Sequence, residues 1–330
     1  MISVGFGGSG HDFSTCIIEN DQVLSFIEDE RILRKKHSFF EGMGQALMKM
    51  PAINYCTKVA RLDDVIPDCV VANNSLEQYY YARYKYKNQI HFIGHHLSHA
   101  ASAFFPSTFE ESAVLILDGA GFADEKGMND STSLWHGNKN EITKIKSHGA
   151  KVLSRKLFDN MIDVAENSIG VFYHIITHII GFGLFEEGKT MGLAPYGTNK
   201  LYNQIRSFID YGAEGSFLFS LDGIKELFAY AKTQNLEDFD VRANFAWAAQ
   251  KIVEDAVIHS ALYLKNQTNT DNICIAGGVA LNSVANYKLY KTGLFKNYFI
   301  QPAAGDNGTS IGAAYYGAYC IGKIKRKYTE

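Results

Sequence analysis

The chain has 330 residues, of which 46% are hydrophobic and 13% aromatic, so it can bury a sizeable core and is neither collagenous nor of low complexity. Its 32 basic and 35 acidic residues give a formal net charge of -3, which argues against a surface built to neutralise a nucleic-acid backbone. We expect a folded globular protein of about two structural units, at roughly 150 residues each.

The sequence also bears on where the protein resides. Its five cysteines stand at wide spacings without a C-x-x-C pair, as in a reduced chain. The amino terminus, MISVGFGGSGHD, has neither the basic leader nor the apolar run of a signal peptide. The longest apolar stretches are too short, or too interrupted by histidine, to cross a bilayer of about 30 Å. We expect a cytoplasmic protein with no membrane partner.

The predicted elements of the first part of the chain alternate between strands and helices. Alternating and β-rich runs predict strands, and apolar residues three and four apart predict helices. In chain order the predictions are strands at 2–6, 14–19 and 22–28, a helix at 40–50, strands at 70–72 and 90–93, and a helix at 95–105 that Pro106 ends.

A similar layout returns after residue 112. Again a strand, a glycine turn, a second strand, a tight turn and a third strand follow one another, before helices and further strands. The predictions are strands at 113–117, 131–135 and 141–147, helices at 165–180 and 244–264, a strand at 273–276 and a last helix at 310–324. Alternation of strands and helices indicates the α/β class.

The repeated start predicts two related α/β lobes that face each other across a cleft. We place the first lobe at residues 1–111 and the second at 112–312, with a C-terminal helix, 313–330, packed back on the first lobe. The basic end of the chain, 323–327, suits a solvated helix terminus because cations are favourable at a helix C-terminus.

Residues 95–100 read HHLSHA and predict a metal site. His95 and His99 are four apart, so both imidazoles lie on one helix face and can share an ion. Asp118, at a strand end, and Asp306, in a glycine loop, are candidate carboxylate ligands. The competing pair is His96 with His99. Imidazole with carboxylate in an open site suits Fe(II) or Zn(II) better than Mg(II).

Four glycine-rich turns follow predicted strands. Glycine lets backbone N–H groups approach a phosphate closely, and a following helix amino end adds a favourable potential. The turns are GFGGSGHD at 5–12, DGAG at 118–121, AGGVALN at 276–282 and GDNGTSIGAA at 305–314. Together they predict one shared nucleotide cleft. A Walker A sequence is absent, so this is not a P-loop protein.

Two further residues are candidates for catalysis. Lys189 stands in a polar segment, EEGKTMGLAPYG at 186–197, that we expect to be a loop; it could pair with a phosphate oxygen as a point charge. His11 lies beside Asp12 on the first glycine turn, where a histidine next to a carboxylate could take a proton from an acceptor hydroxyl.

In combination these segments resemble the actin-like and sugar-kinase ATPase superfamily, whose two lobes are ribonuclease-H-like. Within it they resemble the O-carbamoyltransferases of the nodulation and antibiotic-tailoring type. The matching stretches are GGSGHDFSTCIIENDQVLSFIEDER, HHLSHAASAFFPS, VLILDGAG, EEGKTMGLAPYG, AGGVALNS and PAAGDNGTSIGAA, in the family's order.

The resemblance implies transfer of a carbamoyl group from carbamoyl-adenylate to a hydroxyl of a sugar or natural-product acceptor. It implies iron, with zinc as the alternative, bound by residues matching His95, His99, Asp118 and Asp306. His11 and Lys189 match catalytic positions. The implied nucleotide-binding residues, for the adenylate or ATP, are Gly119, Gly121, Glu187, Gly277, Gly278, Asn282 and Asn307.

One departure from the family pattern concerns the donor. The family usually carries a second, smaller domain that makes carbamoyl-adenylate, whereas this sequence ends just after the last predicted helix. This departure leaves three possibilities: a separate adenylate-forming protein is a partner, the protein takes a different donor, or the activity has diverged. The alternatives are a tRNA threonylcarbamoyl-transfer protein, which the balanced charge disfavours, and a non-enzymatic actin-like nucleotide-binding protein.

Overall fold

The computed structural model describes residues 1–37, 51–63, 65–76, 90–121, 123, 126–157 and 160–328. The helix predicted at 40–50 lies outside these residues. The described part is an α/β fold with two five-stranded sheets, so the predicted fold class is confirmed. No helix in these ranges is long and apolar enough to cross a membrane.

The first sheet has the strand order β3-β2-β1-β4-β5. Its strands are β1 Ile2–Gly8, β2 Phe13–Glu19, β3 Gln22–Glu28, β4 Cys69–Asn73 and β5 Ile90–Ile93. The first three strands pair antiparallel, and β4 and β5 continue the sheet in parallel from β1. Helices α1, Asp29–Leu33, and α2, Pro51–Val59, follow β3 in the chain, and α2 packs on β2 and β3.

The second sheet repeats the first in strand order and in strand direction. Its members are β6 Glu111–Leu117, β7 Asn129–Asn138, β8 Glu141–Ala150, β13 Asn272–Ala276 and β14 Asn297–Ile300. The order is β14-β13-β6-β7-β8, with β6 in the place of β1. Two smaller hairpins lie between, β9 Val152–Leu157 with β10 Asn160–Ala165, and β11 Asp210–Tyr211 with β12 Phe217–Leu218.

Apart from α1 and α2, which pack on the first sheet, the helices form a layer between the sheets and a layer behind the second sheet. Helices α3, His95–Phe104, and α10, Thr309–Tyr316, pack on each other; α10 also packs on β1, and α3 on β6 and β13. The layer behind the second sheet encloses the largest apolar core. The remaining helices are α4 Ile169–Ile179, α5 Glu187–Leu193, α6 Tyr202–Arg206, α7 Leu221–Lys232, α8 Phe239–Thr268 and α9 Ser283–Lys291.

Glycine allows α10 to lie directly against β1. A Cβ atom at Gly5 or Gly7 would collide with backbone atoms of Ser310, so a larger residue would push the helix off the strand. This contact holds the Asp306 loop, which immediately precedes α10, against the carboxyl end of β1. The fold therefore brings the two ends of the chain together: the Gly8 N–H donates to the Thr309 hydroxyl at 2.9 Å, 301 positions away in sequence.

Two helices differ in length from their predictions. The helix predicted at 165–180 begins only at Ile169, because the chain up to Ala165 pairs as β10 and the Ser168 hydroxyl caps the helix by accepting from Val171 N–H. The helix predicted at 244–264 is longer, Phe239–Thr268, with Asp238 as its cap. Apolar periodicity identified both helices but not their caps.

Two predictions of local structure were wrong. The segment 186–197 is not a loop, because Glu187–Leu193 is helical and Thr190 is buried on it, with its hydroxyl 2.8 Å from that of Thr177. The C-terminal helix ends at Tyr316 and continues as a π-turn, Gly317–Ile321, and the described residues after it, 322–328, are not helical. The division into lobes at residue 112 stays a prediction.

Candidate functional site

Four predicted ligands come from three parts of the fold. His95 and His99 lie one turn apart at the start of α3. Asp118 follows β6, and Asp306 begins a short 3-10 turn, Asp306–Gly308, before α10. The start of α3, the end of β6 and the turn before α10 lie at the same edge of the two sheets, so the four side chains converge. We call this set the four-ligand cluster.

The donor atoms of the four-ligand cluster all lie within 4.8 Å of one another. The Nε2 atoms of His95 and His99 are 3.2 Å apart. Asp118 Oδ2 lies 3.2 Å from His95 Nε2 and 3.8 Å from His99 Nε2. Asp306 Oδ1 lies 3.4 Å from each of the two nitrogens. Two imidazole nitrogens and two carboxylate oxygens so arranged fit a divalent transition metal.

Neighbouring groups hold the ligands in position. The Ser75 hydroxyl lies 2.9 Å from His95 Nδ1, which leaves Nε2 to face the cluster. The backbone N–H of Gly278 donates to Asp118 Oδ1 at 3.1 Å. His99 is fully buried, and its Nδ1 atom has no hydrogen-bond partner among the described residues.

The buried carboxylates of Asp118 and Asp306 in the four-ligand cluster favour a cation bound between them. Burial alone would lower the pKa of His95, but the carboxylates of Asp306 and Asp118 outweigh it and raise this pKa to about 10. Burial works against ionisation of Asp306, yet the positive charge of His95 holds its pKa well below the usual range. Two buried carboxylates require a positive partner, which is the role a bound metal ion fills.

The structure brings His95, not His96, beside His99. His96 turns its Nδ1 atom to the Ser133 hydroxyl at 2.7 Å, and that hydroxyl accepts from Trp135 Nε1, also at 2.7 Å. Burial lowers the pKa of His96 to about 3, so its ring is neutral. The competing pair, His96 with His99, is therefore not the one that meets the two carboxylates.

Beside this cluster lies a second group, formed by His11, Asp12 and His37, which we call the His11 cluster. His11 Nδ1 is 2.9 Å from Asp12 Oδ2, and His11 Nε2 is 3.4 Å from Asp306 Oδ2. His37 Nδ1 is 3.3 Å from Asp12 Oδ1. Burial would lower the pKa of His11, but the hydrogen bond to Asp12 and the charge of Asp306 raise it.

Phe185, from the loop before α5, packs on both histidine rings. The centroid of its ring is 4.5 Å from that of His11 and 4.3 Å from that of His37. Its backbone has φ of +60°, a conformation that a phenylalanine rarely adopts. This contact joins the loop before α5 to the first glycine turn, on which His11 lies.

The glycine turns meet beside the four-ligand cluster. Gly277 has φ of +95°, and its N–H donates to Ala304 O at 2.9 Å, which joins the third turn to the fourth. A Cβ at this position would also collide with Leu117 O, so glycine is required where the third turn passes the end of β6. Gly119 O accepts from the Ser168 hydroxyl, and Gly121 N–H donates to Asp130 O.

Four other predicted residues have partners of their own. Asn282 caps α9 and exchanges hydrogen bonds with Gln250, and Asn307 Nδ2 donates to Glu28 Oε1 at 2.7 Å. Glu187 Oε1 lies 2.7 Å from His174 Nδ1. Lys189 is exposed and pairs with Glu186, so it does not contact the four-ligand cluster in this structure.

Sequence reasoning missed His37, Phe185 and Ser75. His37 follows two lysines at the end of a short helix, and Phe185 sits in an apolar run, so neither stands out by type or spacing. Only the fold brings them to the cleft.

The two sheets of the same strand order, with a histidine and aspartate cluster where their turns meet, define a two-sheet α/β fold with a candidate metal site. The sequence matches the family model of the carbamoyltransferase N-terminus over residues 63–315, and the chain belongs to that family. It is 28% identical to the nodulation protein NolNO of Sinorhizobium fredii over 92% of this chain and 46% of NolNO.

Two further comparisons concern the fold and the alternative function. Full-length HypF, in its phosphate- and nucleotide-bound form, superposes with a TM-score of 0.62 over 97% of this chain and 55% of HypF, at 14% identity, which confirms the actin-like fold. A tRNA N6-adenosine threonylcarbamoyltransferase of Thermosipho melanesiensis is 25% identical over 46% of this chain and 43% of its own. The chain spans about half the length of the curated relatives it matches.

Proposed function

We propose that this protein transfers a carbamoyl group from carbamoyl-adenylate to a hydroxyl of a sugar or natural-product acceptor. The observation that carries the proposal is the position of His11, whose Nε2 lies 3.4 Å from Asp306 in the four-ligand cluster. In this position His11 would act as a proton acceptor beside the candidate metal site, and membership of the carbamoyltransferase family supports the class of reaction.

In the proposed reaction His11 Nε2 takes the proton of the acceptor hydroxyl. The hydroxyl oxygen bonds to the carbamoyl carbon, the bond from that carbon to the phosphate oxygen breaks, and AMP leaves with the electron pair. The raised pKa of His11 favours the protonated ring that forms in this step. The Asp12 carboxylate, with Oδ2 2.9 Å from His11 Nδ1, stabilises the positive charge of the protonated ring.

His95, His99, Asp118 and Asp306 are the residues that would hold iron or zinc. When bound, such an ion polarises the carbamoyl group and stabilises negative charge on the leaving phosphate. The turns at 118–121, 276–282 and 305–308 would hold the adenylate through backbone N–H groups. Lys189 would act on the phosphate only if it left Glu186, so we give it a secondary role.

The proposal is tested with synthetic carbamoyl-adenylate, metal-loaded protein and a panel of sugar and aminoglycoside acceptors. We expect AMP and the carbamoylated acceptor to appear in equal amounts by chromatography and mass spectrometry. His11→Asn should lower the rate by roughly 100-fold, the usual scale for loss of a general base. His91→Asn, a change of an exposed histidine on β5, is the matched control. AMP release no faster than in buffer, for every acceptor, would refute the proposal.

The second candidate is transfer of a threonylcarbamoyl group to tRNA, which the partial match to the Thermosipho enzyme favours. The same assay with threonylcarbamoyl-adenylate and unmodified tRNA separates the two candidates. Nucleotide binding without transfer to any acceptor would instead support a non-enzymatic actin-like protein. If transfer succeeds with the synthetic donor but not with ATP and carbamoyl phosphate, residues 1–330 do not form the adenylate themselves.

A further inference from the structure

Both oxygens of the Asp12 carboxylate contact a histidine. Oδ2 lies 2.9 Å from His11 Nδ1, and Oδ1 lies 3.3 Å from His37 Nδ1. We propose that His37 is a positioning residue for transfer, which fixes the Asp12 carboxylate and through it the orientation of the His11 ring. The inference rests on the proposed function, because it assigns His11 the acceptor proton.

His37 is the hydrogen-bond donor in its contact with Asp12. An ionised carboxylate only accepts, so the Nδ1 atom that faces Asp12 must carry a proton. The other ring nitrogen, Nε2, is buried without a partner among the described residues. His37 therefore has one directed interaction, and its partner is Asp12.

The surroundings of His37 hold its ring in this position. Its backbone N–H donates to Glu30 Oε2 at 3.2 Å, and its φ of +50° is a left-handed conformation. On the other side the ring packs against Phe185, with the ring planes 36° apart. Backbone and side chain are thus both fixed before any substrate is present, as positioning requires.

A second hydrogen-bond donor limits the rotation of the Asp12 carboxylate. The terminal torsion of an aspartate is broad, so a carboxylate held by one imidazole alone can turn and release it. With His37 on Oδ1, the carboxylate plane is fixed, and Oδ2 stays aimed at His11 Nδ1. The proton of His11 then remains on Nδ1, which leaves Nε2 free to act as the base.

The test compares three variants of His37 in the transfer assay. His37→Asn keeps an N–H donor and suits a positive φ. His37→Asp has the shape of the Asn variant but replaces the donor with a second carboxylate that repels Asp12. His37→Phe keeps a ring against Phe185 without the donor. We expect kcat to fall by roughly 10-fold or more in the Asp and Phe variants and by less than about threefold in the Asn variant, with the acceptor KM nearly unchanged in all three.

The matched control is His136→Phe, because His136 also pairs with a carboxylate, Glu111 at 2.7 Å, but lies at the opposite end of β6 from Asp118. This variant should keep full activity. If the Asn variant is as slow as the other two, or if the Phe variant is as fast as the parent, His37 does not position Asp12. Thermal melting identifies a variant that fails to fold, in which case the Asn and Asp pair decides.

A second readout does not depend on catalysis. Nitrogen-15 NMR of the imidazole rings reports which nitrogen carries the proton, and the His11 signals are identified by their loss in His11→Asn. We expect a protonated Nδ1 on His11 in the parent and in His37→Asn, and a changed signal in His37→Asp. If these signals behave as expected but no carbamoyl is transferred, the positioning role stands and the proposed function fails. Unchanged His11 signals in all variants overturn the positioning role.

Discussion

His11 Nε2 lies 3.4 Å from Asp306 Oδ2, and this contact joins the two histidine clusters. The other oxygen of Asp306 is 3.4 Å from both His95 and His99. One carboxylate therefore faces a candidate base on one side and a candidate metal site on the other. Any change that moves Asp306 should affect both.

His99→Ala is expected to abolish metal binding. His99 is fully buried and supplies one of the four donor atoms, so its loss leaves an incomplete set around two carboxylates. Protein purified anaerobically, without a metal-chelating tag, should contain near one iron or zinc per chain by elemental analysis. The variant should retain less than about a tenth of this amount.

His91→Ala is the control for this measurement, because His91 is exposed on β5 outside the cluster. It should keep the parent's metal content. Equal metal in the parent and in His99→Ala would show that the ion, if present, binds elsewhere.

Gly278→Leu is expected to weaken nucleotide binding. Gly278 N–H donates to Asp118 Oδ1, and a Cβ at Gly278 would lie 3.1 Å from that oxygen, so a side chain here must crowd the proposed nucleotide turn. Calorimetry with AMP should show a dissociation constant raised by roughly 10-fold or more, a loss of about 1.4 kcal/mol.

The control for that prediction is Gly188→Leu on α5, where a Cβ meets no atom within 4 Å. Elemental analysis of both variants separates a direct effect on the turn from loss of the metal through Asp118. Unchanged AMP affinity in Gly278→Leu, with metal retained, would move the nucleotide cleft elsewhere.

The sequence allowed the repeated sheets and the four-ligand cluster to be predicted, because both depend on local patterns. Strand and turn signals recur in the same order, and Asp118 and Asp306 stand at element ends, where side chains meet at one sheet edge. Helical spacing allows both His95 and His96 to pair with His99, and only the structure shows that His95 is the partner.

Features that depend on packing between distant segments could not be predicted. Phe185 meets His37 only because two loops, one from each part of the chain, face the same cleft. The helix Glu187–Leu193 contains two glycines, so its propensity is low, and it forms because Thr190 packs behind it. Local propensity carries no information about such contacts.

The position of Arg326 is a further feature that could not be predicted, because the sequence pattern predicts a solvated basic end of the chain. The guanidinium is buried, and it donates to the backbone oxygens of Phe104, Phe105 and Lys139. It also lies over the Phe104 ring, 4.2 Å from the centroid. Through these hydrogen bonds Arg326 holds the end of the chain against the turn after α3.

Arg326→Met is therefore expected to destabilise the fold. Methionine fills much of the volume but removes the hydrogen bonds to Phe105 O and Lys139 O, and leaves Phe104 O with the Ser107 hydroxyl alone. This loss costs roughly 2–4 kcal/mol in the free energy of unfolding. Urea unfolding followed by circular dichroism should show a lower midpoint. Lys325→Met changes the exposed neighbouring cation and should leave the midpoint unchanged. Similar midpoints for both variants would mean that Arg326 contributes no net stability.

Asp29 is expected to make stability depend on pH. It is buried at 1% exposure, accepts from Ala52 N–H through Oδ1, and has no partner for Oδ2 among the described residues. Burial raises the pKa of Asp29 from 3.8 to about 7, although the hydrogen bond from Ala52 N–H lowers it. Between about pH 4 and 7 the folded chain therefore holds a proton that the unfolded chain releases, so the free energy of unfolding falls as pH rises through this window.

Asp29→Asn removes this ionisation, and its stability relative to the parent should rise across the same window. The gain by pH 8 is at most about 4 kcal/mol, from 1.36 kcal/mol for each pKa unit. Urea unfolding at pH 4.5, 6 and 8 measures the difference at each pH, and Glu226→Gln, which changes an exposed carboxylate on α7, is the control. If the difference in free energy of unfolding between Asp29→Asn and the parent stays constant from pH 4.5 to 8, Asp29 does not hold a proton in the folded chain. The start of α2 is then capped by a buried carboxylate.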